Sequence, residues 1–168
     1  MEASELRRAY LDFFASKGAL VLPSDSLVTE DPTLLFTVAG MVPFKAYFED
    51  RATPPRTSIA TSQKCLRTKD IDDIGDISHC TFFEMLGNFS FGDYFKPEAV
   101  EWSAEFLFDV LKIDRKRIRV TIYQDDDDAY ALWRKFGMPD ERITRLGQKT
   151  NYWPSNAIVE KSQGPCGP

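Results

Sequence analysis

The residues whose types and spacing could do chemistry gather around one polar loop. Arg67 ends the stretch QKCLR, and His79, Phe82, Phe83 and Glu84 follow the loop Thr68–Ser78. Arginine carries a permanent charge on a planar fork, which grips phosphate or carboxylate oxygens two at a time. By position alone Arg67 reads first as a surface arginine paired with Asp70 or Asp72. Phe82, Phe83 and Glu84 alternate along a strand, so one ring belongs to the core and the other to the opposite face. The sequence leaves open which. A carboxylate in so aromatic a strand needs a partner, such as an amino group or a backbone amide.

Other candidates reduce to simpler readings. His79, the one histidine, stands beside Cys80, but Cys65, His79, Cys80 and Cys166 lack zinc-ligand spacing, so no metal site is expected. The acidic run Asp125–Asp128 stands at a helix start, where carboxylates cap backbone N–H groups. The four aspartates of the loop, Asp70, Asp72, Asp73 and Asp76, read as a solvated loop. The basic stretch Lys112–Arg119 reads as a solvated face rather than an RNA contact.

The elements that must hold these residues can be read from apolar periodicity. Leu6, Ala9, Tyr10, Phe13 and Phe14 predict a helix, capped by Ser4 and ended at Gly18. An extended stretch Ala19–Pro23, a strand Leu34–Thr37 and a short helical or irregular piece Phe44–Phe48 follow. Ser62–Arg67 and His79–Leu86 predict a hairpin with a long loop, then a turn over Gly87–Gly92. Pro97 opens a helix with Trp102, Phe106, Val110 and Leu111 on its buried face. Arg117–Tyr123 alternates as a strand. Asp125 caps a helix carrying Tyr130, Leu132, Trp133 and Phe136, which Gly137 and Pro139 stop. Asn151 onward is loop or strand. The order predicts an α+β fold with a mainly antiparallel sheet flanked by helices. Neither a dinucleotide fingerprint nor a P-loop is present, so a nucleotide here would have to be held by side chains.

Composition narrows the class. The 168 residues are 43% hydrophobic with a formal net charge of −5, so the chain as a whole carries no basic nucleic-acid footprint. The charged start MEASELRRAY is unlike a signal peptide, and no apolar run approaches the ~20 residues needed to span a bilayer. Three widely spaced cysteines argue against a disulfide framework and point to a reducing cytoplasm.

Four stretches in this order carry a specific resemblance. They are DPTLLFTVAGMVPFKAYF (Asp31–Phe48), QKCLR (Gln63–Arg67), HCTFFEMLGNFSFGDYFK (His79–Lys96) and NYW (Asn151–Trp153) followed by GPCGP. Together they resemble the alanyl-tRNA synthetases, a family of class II aminoacyl-tRNA synthetases, over nearly the whole chain. The resemblance implies ATP-dependent activation of alanine with Mg2+, then transfer to tRNA(Ala). It implies that Arg67, Lys69, His79, Phe82, Phe83 and Glu84 belong to the ATP site, with Arg67 the catalytic cation of motif 2 between α-phosphate and alanine carboxylate. Met41 and Trp153, with Arg67, would border the alanine pocket. From the residues alone Trp153 could also be an ordinary core tryptophan.

The chain departs from the family in its loop, RTKDIDDIG, which lacks a longer Gly-Gly-Lys segment and makes Lys69 the nearest match to the loop lysine. No Gly-x-Gly-x-Glu-Arg-type third motif is found in the sequence. The expectation is therefore that residues 1–168 are the amino-terminal part of a catalytic domain ending before motif 3, and are inactive in isolation. The editing region, where zinc is expected, and the oligomerisation region would lie elsewhere. The alternative is a short non-catalytic paralogue that binds ATP, RNA or a protein partner. No membrane partner is expected.

Overall fold

A computed structural model describes residues 1–68, 71–153 and 167–168. It divides into two compact units, Met1–Phe91 and Gly92–Pro168.

In the first unit, helix α1 (Ala3–Ser16) buries Tyr10, Phe13 and Phe14. Its first turn is closed by Glu2, whose backbone N–H donates to the Glu5 carboxylate at 2.8 Å, rather than by Ser4. Gly18, at φ +94°, turns the chain out of the helix into strand β1 (Leu20–Leu22). A 3-10 turn (Val42–Phe44) and a one-turn helix α2 (Lys45–Phe48) precede strands β2 (Ser58–Leu66) and β3 (Phe82–Ser90).

The sheet order is β1-β2-β3, with β1 parallel to β2 and β3 antiparallel to it from Ser58↔Ser90 to Leu66↔Phe82. Pairing β2 and β3 leaves both faces of the sheet to be covered. On one face α1 reaches β3 through Arg7 to Glu84 and through the Tyr10 hydroxyl, which donates to Asn88 Oδ1 at 2.8 Å. On the other, Phe44 packs its ring 4.7 Å from that of Phe89, and Gly40 N–H points at Met85 Sδ at 3.1 Å. Strand β2 is accordingly buried on both faces over Ser58–Gln63.

Several expectations for this unit are corrected. The predicted turn at Gly87–Gly92 begins too early, because β3 runs through Gly87, paired with Thr61, to Ser90. A Cβ at Gly87 would lie 2.8 Å from the Phe89 ring, so glycine is what lets that ring lie against its own strand. Leu34–Thr37 is not a strand. Its hydrogen bonds go elsewhere: Thr37 N–H donates to Leu27 O and its hydroxyl to Ser26 O, while Thr37 O accepts from Leu66 N. Those bonds leave Leu35 83% exposed, although the apolar run had suggested burial.

The second unit opens with α3 (Lys96–Glu105), which widens into a π-helical turn (Phe106–Val110). A 3-10 turn (Arg115–Arg117) leads to β4 (Val120–Tyr123). Helix α4 (Asp127–Lys135), a 3-10 turn (Asp140–Arg142), β5 (Ile143–Leu146) and a short helix α5 (Gln148–Asn151) follow. The core joins Ala104, Phe108, Val120, Ile122, Met138 and Ile143. The wide turn shifts the helical phase, so Ala104, Phe106 and Phe108 are buried while Val110 is 36% exposed.

Strands β4 and β5 are parallel, since α4 must cross back between them. Among the described strands the expectation of a mainly antiparallel sheet holds for the β2–β3 pair, whereas β1–β2 and β4–β5 are parallel. Strand β4 starts at Val120 rather than Arg117, because Arg115–Arg117 is a 3-10 turn. Within the basic stretch Arg115 has a packing role, its guanidinium 4.0 Å over the Phe108 ring and donating to Phe136 O at 2.7 Å.

Helix α4 is capped one residue later than predicted. Asp126, not Asp125, accepts from Ala129 N at 3.0 Å and from Lys96 Nζ at 2.7 Å. Burial pushes the Asp126 carboxyl up, but the Lys96 ammonium and the Ala129 N–H outweigh it and leave it lowered. No helix among the described residues is long and apolar enough to cross a membrane.

Candidate functional site

The site is built at the loop end of the β2–β3 hairpin, in the first unit. One bond beyond the last ladder pair, Arg67 N–H donates to Thr81 O at 2.8 Å. The side chain is then fixed from two sides. Nε donates to Val38 O at 2.9 Å, and the guanidinium lies 5.2 Å from the Phe83 ring centroid. Among the described residues no carboxylate pairs with Arg67. The Asp72 pairing that sequence position allowed is not made.

Strand parity explains the grouping. Phe83, Met85 and the β2 residues opposite them, Cys65 and Gln63, share one sheet face. Arg67 continues the same parity from Cys65. Burial pushes the Cys65 thiol up, with Arg67 opposing, so Cys65 remains a neutral wall beneath the cation. This face therefore presents a fixed positive charge beside an aromatic ring.

Phe82 and Glu84 have the opposite parity, on the α1 side. Phe82 is 53% exposed. Glu84 finds its partner within the chain: Arg7 donates to Glu84 Oε2 through Nε at 3.1 Å and through Nη2 at 2.5 Å. Arg7 had given no sign of this in the sequence, since the contact spans a helix and a strand far apart in the chain.

The hairpin loop carries His79. Its Nδ1 is 2.6 Å from Asp76 Oδ2, while Asp76 Oδ1 accepts from the backbone N–H groups of Ser78 (2.9 Å) and His79 (2.7 Å). The His79 backbone N–H, then that of Ser78 and the His79 ring, hold the Asp76 carboxyl well below the usual carboxylate range. Asp76 is thus more than a solvated loop residue. The Asp-x-Ser spacing, an Asx-turn signal, was the cue that could have singled it out. The loop isoleucines Ile71, Ile74 and Ile77 are exposed.

Met41 is half-buried at the start of the 3-10 turn, its carbonyl accepting from Phe44 N at 2.9 Å. Met41 follows Gly40, whose N–H meets Met85 on the Arg67 face. Trp153 belongs to the second unit, 61% exposed, and forms an antiparallel bridge with Gly167. That exposure is not that of a core tryptophan. Lys69 and Cys166 lie outside the described residues. A cavity of about 850 Å³ in the first unit is lined instead by residues of Asp25–Thr33 and Val42–Arg51, including Lys45 and Arg51, and does not include Arg67 or Phe83.

The face at Arg67 presents a cation that can attract an anion beside a ring that can stack on a planar group. The family model "tRNA synthetases class II (A)" matches residues 5–168. The chain belongs to this family. Proteins similar to it include an alanine–tRNA ligase of Thermotoga maritima, 52% identical over 170 aligned residues that take in the whole chain and 18% of that protein. The alanine–tRNA ligase of Carboxydothermus hydrogenoformans is 53% identical over the whole chain and 19% of its own length. That of Acetivibrio thermocellus is 52% identical over 98% of the chain and 18% of its length. The chain thus spans about a fifth of the length of these relatives.

Proposed function

We propose that this chain forms the amino-terminal part of the aminoacylation region of an alanine–tRNA ligase, acting in the cytoplasm on ATP, alanine and tRNA(Ala). The observation that carries the reading is the guanidinium of Arg67, pinned by Val38 O and Phe83 and paired with no carboxylate among the described residues. A cation that is already oriented, and paired with none of the described carboxylates, suits what adenylation requires. The alanine carboxylate is ionised at pH 7 and needs no base. The obstacle is its approach to an anionic α-phosphate. A planar fork holding one oxygen of each reactant lowers that repulsion and fixes the line of attack. Lysine would supply charge without the fork.

Phe83 rather than Phe82 is the ring for adenine in this reading, because it shares the face of Arg67. Stacking of this kind is worth about 1–3 kcal/mol. Glu84 would act from the opposite face by holding α1 to the hairpin through Arg7. On the family resemblance, Met41 and Trp153 are assigned to alanine binding, and His79 and Lys69 to ATP binding. Among the described residues the Arg67 face supplies no carboxylate to a magnesium ion, so Mg2+ would arrive with the ATP phosphates. A pocket bounded by bulky groups excludes large side chains by overlap, yet one methyl separates alanine from glycine by only about 1–3 kcal/mol. The reading is tested by alanine-dependent ATP–pyrophosphate exchange in the full-length protein, wild type against Arg67→Ala. Unchanged exchange would overturn it.

A further inference from the structure

We infer that Asp76 is a positioning residue for the ATP site, setting the ring orientation and tautomer of His79; this rests on the reading that the hairpin face binds ATP. Asp76 spends its two oxygens differently. Oδ1 accepts from two consecutive backbone N–H groups, those of Ser78 and His79, and so shapes the end of the loop. Oδ2 meets His79 Nδ1 at 2.6 Å and the Ser78 hydroxyl at 3.2 Å. A carboxylate only accepts, so the contact at Oδ2 makes Nδ1 a proton-bearing nitrogen of the ring. The same carboxylate that fixes the backbone at His79 therefore fixes the proton on its ring. Arg67 and His79 flank opposite ends of one loop, from Arg67, bonded to Thr81 O, to His79 two residues before that carbonyl.

Asp76→Asn separates the two roles. The amide oxygen can still accept from both backbone N–H groups. The amide nitrogen, facing Nδ1, donates to it and so moves the ring proton to Nε2. His79 is the one histidine of the 168 residues, which makes its ring nitrogens unambiguous in 15N spectra of this chain.

The experiment combines these spectra with ATP titrations of wild type, Asp76→Asn, His79→Ala, the double variant and Arg67→Ala. The expected result is an Nδ1–H ring in wild type and an Nε2–H ring in Asp76→Asn. ATP binding should weaken about 3–10-fold, as for one misaligned hydrogen bond. Asp76→Asn should have no further effect in the His79→Ala background, because Asp76 acts through that ring. An Nε2–H ring in wild type, or full ATP affinity in Asp76→Asn, overturns the inference about Asp76. Full ATP affinity in Arg67→Ala overturns the ATP-site reading itself, and the inference with it. Loss of binding there alone would confine the failure to Asp76.

Discussion

Arg67 and Phe83 face each other across the mouth of the β2–β3 hairpin, guanidinium to ring centroid 5.2 Å, with the cation's Nε tied to Val38 O. The ring and the carbonyl hold the charge without neutralising it. A salt bridge would orient the side chain equally well but would remove the charge that an anionic substrate needs.

Arg67→Ala should lower alanine-dependent ATP–pyrophosphate exchange by about 100-fold or more, the scale seen when one preorganised charge donor is removed. Arg67→Lys should recover only part of that loss, since it restores charge without the planar fork. Equal rates for the lysine variant and wild type would show that the fork is not used.

Trp153→Ala should relax discrimination between alanine and larger amino acids more than it weakens ATP binding. Steady-state exchange with alanine and with a bulkier amino acid, beside an ATP titration, reads this split. A parallel loss of both would mark a general structural role instead.

Gly87→Ala should destabilise the first unit by about 1–3 kcal/mol, the usual cost of forcing an extra methyl into a packed site. The added Cβ meets Phe89 ring carbons at 2.8 Å, and that ring is itself packed against Phe44, centroids 4.7 Å apart. Urea unfolding measures the cost. Combining the substitution with Phe89→Leu should reduce it; full additivity would mean the clash is elsewhere.

Acid stability should depend on Asp31. Its carboxyl is lowered to about 2 by hydrogen bonds from Lys45 and then Thr33. A depressed folded value stabilises above the unfolded value of about 3.9 and is lost as pH falls through the folded one. The contribution therefore fades between about pH 4 and pH 2. Lys45→Met removes the largest cause, so acid unfolding followed by circular dichroism should begin at higher pH in that variant. An unchanged acid midpoint would show that the Lys45–Asp31 contact does not survive in solution.

Removing Arg7 should cost little. The Arg7–Glu84 pair is a partly exposed ion pair, with side chains 38% and 30% exposed, and such pairs contribute about 0–1 kcal/mol. Arg7→Ala should shift the urea midpoint slightly and leave exchange near wild type. A large loss of exchange would give Glu84 or α1 a direct part in the site.

What could be read along the chain was whatever local periodicity and motif carry. The α1 apolar face, the β2–β3 hairpin, the helix starts at Lys96 and near Asp126, and the run from His79 to Lys96 that resembles the synthetases were all legible. The alternation of Phe82 and Phe83 showed that the rings face opposite ways, but not which faces the cation. That choice depends on the register Cys65↔Phe83 and on α1 covering the other side, neither of which is a local property. Tertiary contacts likewise decided that Thr37 bonds to Ser26, Leu27 and Leu66 instead of joining a ladder, and that β1 lies parallel to β2 and β4 parallel to β5. They also gave Glu84 its partner in Arg7 and Arg67 its hold on Val38 O. A side chain's type and its neighbours in sequence specify what it can bond to. Which of those bonds forms is decided by which distant backbone or ring the fold brings within reach.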